Sequence, residues 1–515
     1  MWYTSVTKWG IVLFSNKPKS VTFFDTTLRD GEQTPGISLT AAKKLTIARA
    51  IDKLEVKVIE AGFACISPGE KEAVKMIANA GLNAEICSAT RSVRKDIDAA
   101  IEADVDSVNI IIPTSDLHIQ KKLGKTREQL LEITTDVVSY AKNYGVTVEI
   151  CLEDGSRTEL DYLKQVIQNA VDAGAERITP CDTVGTLTPE RSYDFYNAIH
   201  REFPDITLGV HCHNDFGLAI ANSIAAIAAG ATHFHGTING LGERAGNASL
   251  EEMAVALKLL YDIDTGINLQ FLQEASQVVS RTTGILVQCN KAIVGANAFA
   301  HESGIHTHAI LKDPSTYESI DPSTVGAVRR IVTGKHSGSA GLSKSLQEMG
   351  FTPTQEQFDK IFTKVKTLGD NGEHISDTDL YTIAEEITGS QMENPIILDE
   401  FIVTTGNKIT PTASVKLRRN GDSVVEAATG DGPVDATINA LNKAIHPDQR
   451  VHLVVYHVEA ITGGTDARVE VDINLKKDDK IVSSHGTNED IVMASVDAYL
   501  KGVNVFSSMT KRKQQ

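Results

Sequence analysis

From Val21 to about residue 260 the chain alternates short apolar runs with amphipathic stretches, eight times over. The runs are VTFFD (from Val21), KVIEAGF (from Lys57), AEICSA (from Ala84), SVNIIIP (from Ser107), VTVEICLED (from Val146), RITPCDT (from Arg177), ITLGVHCH (from Ile206) and THFHGTING (from Thr232). Short runs that are apolar on both faces read as buried parallel strands. The stretches between them, such as AAKKLTIARAIDKL, REQLLEITTDVVSYAKN and LDYLKQVIQNAVDAG, read as helices, and several end in glycine, as a C-cap should. Eight βα units over this length predict a (β/α)8 TIM barrel. A doubly wound open sheet shares the local pattern, but the first βα turn lacks the G-x-G-x-x-G fingerprint.

Almost every strand delivers a polar group at its carboxyl end: Asp25, Glu60, Asn109, Glu153 with Asp154, Asp182 with Thr183, His211 with His213, and Asn239. A barrel gathers these ends around one mouth. FFDTTLRDGEQ (Phe23–Gln33) puts three acids, Asp25, Asp30 and Glu32, and Arg29 where the first strand ends. A carboxylate there suits a metal ligand or a catalytic acid, and the arginine can grip a second carboxylate; a solvated N-cap turn is the plain alternative. His211 and His213 point the same way at a strand end, so both imidazoles can face one ion, although core histidines would read alike. With Asp25 and the polar loop Asn239–Asn247, they form a candidate site of nitrogen and oxygen ligands. In HESGIH, His301 and His306 lie outside the barrel strands and can act as an acid or base over the mouth, with Tyr317 as a proton donor or a packing residue.

The expected partition is a tail over 1–20, a barrel over 21–267, helical linker subdomains over 268–390, and a small α+β domain over 391–515, with a boundary at Ser390–Pro395. The last part contains a repeat: SVKLRRNGDSVVEAATGDGPVDATINALNKAI is echoed by ARVEVDINLKKDDKIVSSHGTNEDIVMASVDAYLKGV. Each copy reads as two strands, a glycine-containing loop and a helix, suiting ligand sensing or dimerisation. The turns Gly430-Asp431-Gly432 and Ser484-His485-Gly486 are both expected to precede helices, whose N-termini can accept a ligand carboxylate.

A net charge of −17 speaks against a nucleic-acid partner, and no run has the length of a membrane span. Six scattered cysteines without C-x-x-C spacing read as free thiols in a reducing, cytoplasmic setting.

FDTTLRDGEQTPG, the HCHNDFGLA run from His211, NGLGERAGNASLEE and AFAHESGIH together resemble the α-isopropylmalate, homocitrate and citramalate synthase family. That resemblance implies a barrel that binds a divalent metal (Mn, Zn or Mg) and condenses acetyl-CoA with a 2-oxoacid. Carried over by motif, the metal ligands are Asp25, His211, His213 and Asn247. Arg29 and Thr183 hold the oxoacid carboxylate, and Glu153 sits beside the reacting carbons. His306, supported by Glu302 and Tyr317, serves the proton transfers. The linker is expected to reach the partner subunit's mouth in a homodimer, and the C-terminal repeat to bind an end-product amino acid.

Within the family, Phe63 and the complete regulatory domain favour 2-oxoisovalerate as acceptor and leucine as effector. Asn109, where many relatives have histidine, and the Cys151-Leu152-Glu153-Asp154 approach are departures expected to line the oxoacid pocket; they favour pyruvate. Homocitrate-type chemistry and a silent amino-acid sensor are the remaining alternatives.

Overall fold

The computed structural model describes residues 17–390, 395–419, 421–461, 467–478 and 480–512. The expected tail through residue 16 and most of the expected boundary at Ser390–Pro395 lie outside the described residues. The chain divides into two compact units, residues up to 298 with 323–327, and residues 299–322 with 328 onward.

The first unit is a closed barrel of eight parallel strands in sequence order, as expected: β1 Thr22–Asp25, β2 Val58–Gly62, β3 Glu85–Arg91, β4 Ser107–Pro113, β5 Thr147–Glu153, β6 Arg177–Asp182, β7 Thr207–Cys212 and β8 His233–Gly236. It closes by pairing β1 with β8, from Thr22 opposite His233 to Asp25 opposite Gly236. Eight helices follow the strands: α1 Ala41–Asp52, α2 Pro68–Ala78, α3 Arg94–Ile101, α4 Arg127–Lys142, α5 Leu160–Asp172, α6 Pro189–Glu202, α7 Ala219–Ala228 and α8 Leu250–Leu260. Thr40, Ser67, Thr126 and Thr188 cap four of them with side-chain oxygens, each supplying an acceptor that a helix start otherwise lacks.

The barrel interior is partly polar. Glu149 accepts hydrogen bonds from Thr179 Oγ1 (2.6 Å) and faces His235 Nε2 (2.7 Å) and Arg177 Nε (3.0 Å). Phe24 stacks on His235 with centroids 4.0 Å apart. A second buried charge fixes the outer wall: Lys44 on α1 is fully buried, bonded to the carbonyls of Leu28 (3.0 Å) and Ala61 (3.3 Å) and paired with Glu32 and Glu70. It ties the β1 loop, the end of β2 and α2 to α1.

The second unit holds α10 Gly304–Ile310, a parallel pair of two-residue strands (β9 Ala300–His301 and β10 Arg330–Ile331), α11 Ser339–Glu348, α12 Gln355–Asp370 and α13 Asp377–Thr388; α9 Leu272–Thr283 belongs to the first unit. Two three-stranded antiparallel sheets follow. One is β11 Ile397–Gly406, β12 Ile409–Arg419 and β13 Asp422–Thr429, followed by α14 Pro433–Ala444. The other is β14 His452–Ala460, β15 Val469–Lys477 and β16 Lys480–Asn488, followed by α15 Ile491–Arg512. The repeat is real, with one more strand before each copy than the sequence reading supplied. Period-two burial puts Ala413, Val415 and Leu417 of β12 and Val471, Ile473 and Leu475 of β15 in one core with both helices.

One expectation here is corrected. Ser484-His485-Gly486 is not a turn before a helix but lies inside β16. Ser484 donates to the Ala498 carbonyl, and a Cβ at Gly486 would lie 2.1 Å from the Ala494 carbonyl, so this segment seats α15 on its sheet. Gly430-Asp431-Gly432 does precede α14.

The Lys44 cluster generates a stability prediction. Lys44→Met removes one side of a buried ionic cluster and strips two carbonyls of their donor, which should cost about 3 kcal/mol. Urea unfolding monitored by circular dichroism tests this; a loss below about 1 kcal/mol would show that Lys44 is not a tie point.

Candidate active site

After Asp25 the chain turns back sharply, with the Arg29 and Gly31 N–H groups both donating to the Thr26 carbonyl (3.2 and 3.0 Å). This turn decides which acid reaches the histidines. Asp25, the expected ligand, instead accepts from the Thr27 N–H (2.9 Å) and hydroxyl (2.8 Å). Asp30 takes the place expected of it: its Oδ2 lies 3.3 Å from His211 Nε2 and 3.6 Å from His213 Nε2. The two imidazoles come from the end of β7 and the residue just beyond, edge to face at 85°.

Asn247 is joined to His213 by a backbone bridge. Its amide nitrogen donates to the Leu241 carbonyl (3.0 Å), leaving the carbonyl oxygen as what it can offer a cation. Gly242 makes this approach feasible: at φ +151°, a Cβ would lie 2.2 Å from Asn247 Nδ2 and 3.3 Å from Asp30 Oδ1.

Glu60 on β2 organises the other side. It accepts from Thr26 Oγ1 (2.6 Å), Arg29 Nε (2.7 Å) and Asn109 Nδ2 (2.8 Å). Arg29 also donates from Nη1 to Asp30 (3.0 Å). Burial opposes ionisation of Asp30, but the Arg29 guanidinium and the two histidines hold its carboxyl well below the usual range. Burial pushes the His211 imidazole down to about 4, so the ring is neutral at pH 7 with a lone pair to offer.

The barrel mouth opens as a cavity of about 660 Å³. Arg29, Asp30, His211 and His213 lie on one side, Cys151, Glu153, Cys181 and Thr183 on another, and Phe63, Ile66 and Ile111 supply apolar wall. Glu153 takes Lys122 Nζ on both oxygens (2.8 and 2.7 Å), and Lys122 sits on a π-helical turn, Ile119–Leu123. The Thr183 hydroxyl accepts from the Asp154 N–H (2.8 Å), so its own hydrogen can be donated into the cavity.

Asn109, expected to line the oxoacid pocket, does not. It is fully buried, bound to Glu60, and Ile111 two residues further along β4 lines the cavity instead. His306, Glu302 and Tyr317 lie in the second unit. His306 stacks on Tyr317 with centroids 4.0 Å apart. Glu302, expected to support His306, accepts instead from the His336 N–H (2.9 Å). Asp30 and Lys122 were missed as site residues in the sequence, although Asp30 sits in plain view between Arg29 and Gly31, and Glu60 was expected at the mouth but given no role there.

Among the described residues three groups have spacing that suits a cation: Asp30 with His211 and His213, Glu149 with His233 and His235, and Glu470 with Asp472 and His485. The Glu149 group already carries the Arg177 guanidinium on its carboxylate, a fixed positive charge that opposes a second cation. The Asp30 group has buried Asp30 Oδ1, His211 Nδ1 and both His213 nitrogens without hydrogen-bond partners, and it borders the cavity. Orphaned buried polar atoms on one carboxylate and two imidazoles fit a divalent ion.

A barrel mouth that gathers a candidate cation site beside a buried arginine is an arrangement suited to catalysis. The chain matches the family described as HMGL-like over residues 20–279, the homocitrate synthase post-HMGL domain-like family over 293–373, and the LeuA allosteric (dimerisation) domain over 374–507. It is 51% identical to the (R)-citramalate synthase of Methanocaldococcus jannaschii, over 94% of this chain and 99% of that one. It is 54% identical to a Methanothermobacter thermautotrophicus protein provisionally named (R)-citramalate synthase, over 94% of this chain and 97% of that one. A Methanopyrus kandleri protein provisionally named 2-isopropylmalate synthase is 51% identical, over 95% and 98% of the two chains. The chain therefore belongs to the HMGL-like family, among the synthases that relatives of this kind represent. It is an enzyme of the acyl-transferring type.

Two expectations follow. Asp30→Asn and His211→Gln should each weaken Mn²⁺ binding at least tenfold by isothermal titration calorimetry, whereas Asp25→Asn should leave it within twofold; the opposite ranking would restore Asp25 as the ligand. Burial pushes the Asp25 carboxyl up to about 7 against its Thr27 hydrogen bonds, with Glu251 and Glu60 adding repulsion. A carboxyl raised in the fold favours folding when protonated, and that advantage is lost as pH rises through the folded value. Asp25→Asn should therefore gain stability relative to the parent between about pH 4 and 7; a difference that is flat or falls over that window contradicts the buried protonated acid.

Proposed function

We propose that the chain is an (R)-citramalate synthase, condensing acetyl-CoA with pyruvate and releasing citramalate and CoA. The observation that carries this reading is the 51–54% identity, over nearly the whole chain, to proteins named (R)-citramalate synthase. It shifts the preferred acceptor from 2-oxoisovalerate to pyruvate.

The proposed metal ligands are Asp30, His211, His213 and Asn247; a divalent ion there supplies Lewis acidity at the ketone. Arg29 has Nε and Nη1 committed to Glu60 and Asp30, leaving Nη2 for the oxoacid carboxylate. The Thr183 hydroxyl donates to the same carboxylate. The apolar wall of Phe63, Ile66 and Ile111 accepts the methyl group. A thioester methyl is a weak carbon acid, so a positioned base must take its proton. Glu153 at the cavity wall and His306 with Tyr317 are the groups proposed for the proton transfers. Hydrolysis of the thioester then frees CoA and makes the condensation irreversible.

The second reading, 2-isopropylmalate synthesis, is supported by the 51% identical relative of that provisional name. Methyl and isopropyl acceptors differ by carbons worth about 1–3 kcal/mol each in a fitted pocket. CoA release followed with a thiol reagent should be at least tenfold faster, as kcat/KM, with pyruvate than with 2-oxoisovalerate; the reverse ratio assigns the second reading. Glu153→Gln and His306→Ala should each lower kcat by about 10²-fold or more if they move protons, and near-parental kcat in either removes that residue from the mechanism.

The C-terminal domain supports a homodimer regulated by the end-product amino acid. With pyruvate as acceptor, isoleucine rather than leucine is the proposed effector. Isoleucine should raise the Tm and inhibit turnover; a response to leucine alone would favour the second reading.

A further inference from the structure

The wall of the cavity carries two facing cysteines that the proposed mechanism does not use. Cys151 Sγ on β5 and Cys181 Sγ on β6 are 3.0 Å apart, both side chains are buried, and both residues line the cavity. Both are free thiols, and Cys65 is the other cysteine on the cavity wall.

The strand register makes their contact diagonal. The partner of Cys151 across the sheet is Thr179, two residues before Cys181. With strands about 4.8 Å apart and a rise of about 3.3 Å per residue, such a diagonal separates Cα atoms by roughly 8 Å. A disulfide spans Cα atoms only about 4.4–6.8 Å apart. Inserting one atom between the sulfurs relieves the mismatch, because two bonds of about 2.3 Å meeting at a pyramidal centre hold sulfurs about 3.5 Å apart. Burial, reinforced by the neighbouring Cys151, pushes the Cys181 thiol well up. The pair is therefore distinguished by its proximity rather than by a reactive thiolate.

We propose that Cys151 and Cys181 form a dithiol site in the cavity that captures trivalent arsenicals of the type R–As(OH)₂. Two As–S bonds form and two As–O bonds break. The two thiol protons leave with the two hydroxides as water, and no oxidation state changes. Cys151 and Cys181 each precede a proposed site residue, Glu153 and Thr183, by two positions on the same strand course, so the captured group occupies acceptor space. That blocking effect rests on the proposed function; the capture does not.

The test uses the full-length, Mn²⁺-loaded protein with one equivalent of phenylarsine oxide. Thiol titration after denaturation should show two thiols lost per chain, and intact mass should show one phenylarsenic added. 2,3-Dimercaptopropanol should restore both thiols, whereas a monothiol at equal concentration should not. Cys151→Ala and Cys181→Ala, checked for folding by circular dichroism, should each keep all remaining thiols titratable, and Cys65→Ala should still capture the arsenical. Unchanged thiol counts in the parent protein, or capture by the Cys151→Ala and Cys181→Ala variants at the parental level, would overturn the site. Activity should fall at least tenfold on capture and return with the dithiol. Capture with full activity would sustain the dithiol site and overturn instead the placement of the reaction in this cavity.

Discussion

A buried carboxylate, Glu60, is the interaction on which the mouth of this barrel depends. It accepts three hydrogen bonds, from Thr26, Arg29 and Asn109, and so ties together the β1 turn, the end of β2 and the middle of β4. Two of those donors are neutral and one is a guanidinium with little exposure. Removing the acid would leave a buried cation half-paired, which costs several kcal/mol more than the pair itself contributes. Because Glu60 fixes Arg29 Nε, and Arg29 in turn holds Asp30, the position of the proposed metal ligand is set from a neighbouring strand.

The barrel interior separates two polar layers with different chemistry. Deeper down, Glu149, Arg177, Glu85, His233 and His235 are ion-paired with one another across β3, β5, β6 and β8. In that set one guanidinium, Arg177, lies between two carboxylates. Nearer the mouth, Asp30, His211 and His213 have a carboxylate facing two imidazoles and several atoms without partners. Both layers hold buried atoms without partners, but the deeper one has a guanidinium fixed on its carboxylate, whereas the one at the cavity edge has unmet valence that a ligand can reach. The His211 and His235 rings touch edge to face with centroids 5.7 Å apart, so the deeper layer supports the one at the mouth.

Much of this was legible in the sequence because barrel strands are nearly continuous apolar runs and their polar ends stand out. All eight strands and the histidine pair were placed from pattern alone. What failed, failed on side-chain direction. The last residue of β1 is Asp25, and a strand-end rule selects it; the hydrogen-bonded turn through Thr26 reverses the chain, and Asp30 arrives at the histidines instead. Asn109 lies on the inward face of β4 but too deep, one strand period below Ile111. Ser484-His485-Gly486 has turn-like composition, yet its glycine is there to let α15 pack closely rather than to bend the chain. Lys122 carried no signal, since a lysine on an irregular turn reads as surface until its carboxylate partner is placed.

The central claim is that Asp30, His211 and His213 hold the ion beside which the oxoacid binds. Pulsed electron paramagnetic resonance on the Mn²⁺-loaded protein tests it directly, using [1,2-¹³C₂]pyruvate as the added ligand. The account predicts nitrogen modulation from two imidazoles, and a ¹³C coupling that appears only when pyruvate is present. A spectrum without imidazole nitrogen, or one that pyruvate leaves unchanged, would contradict it.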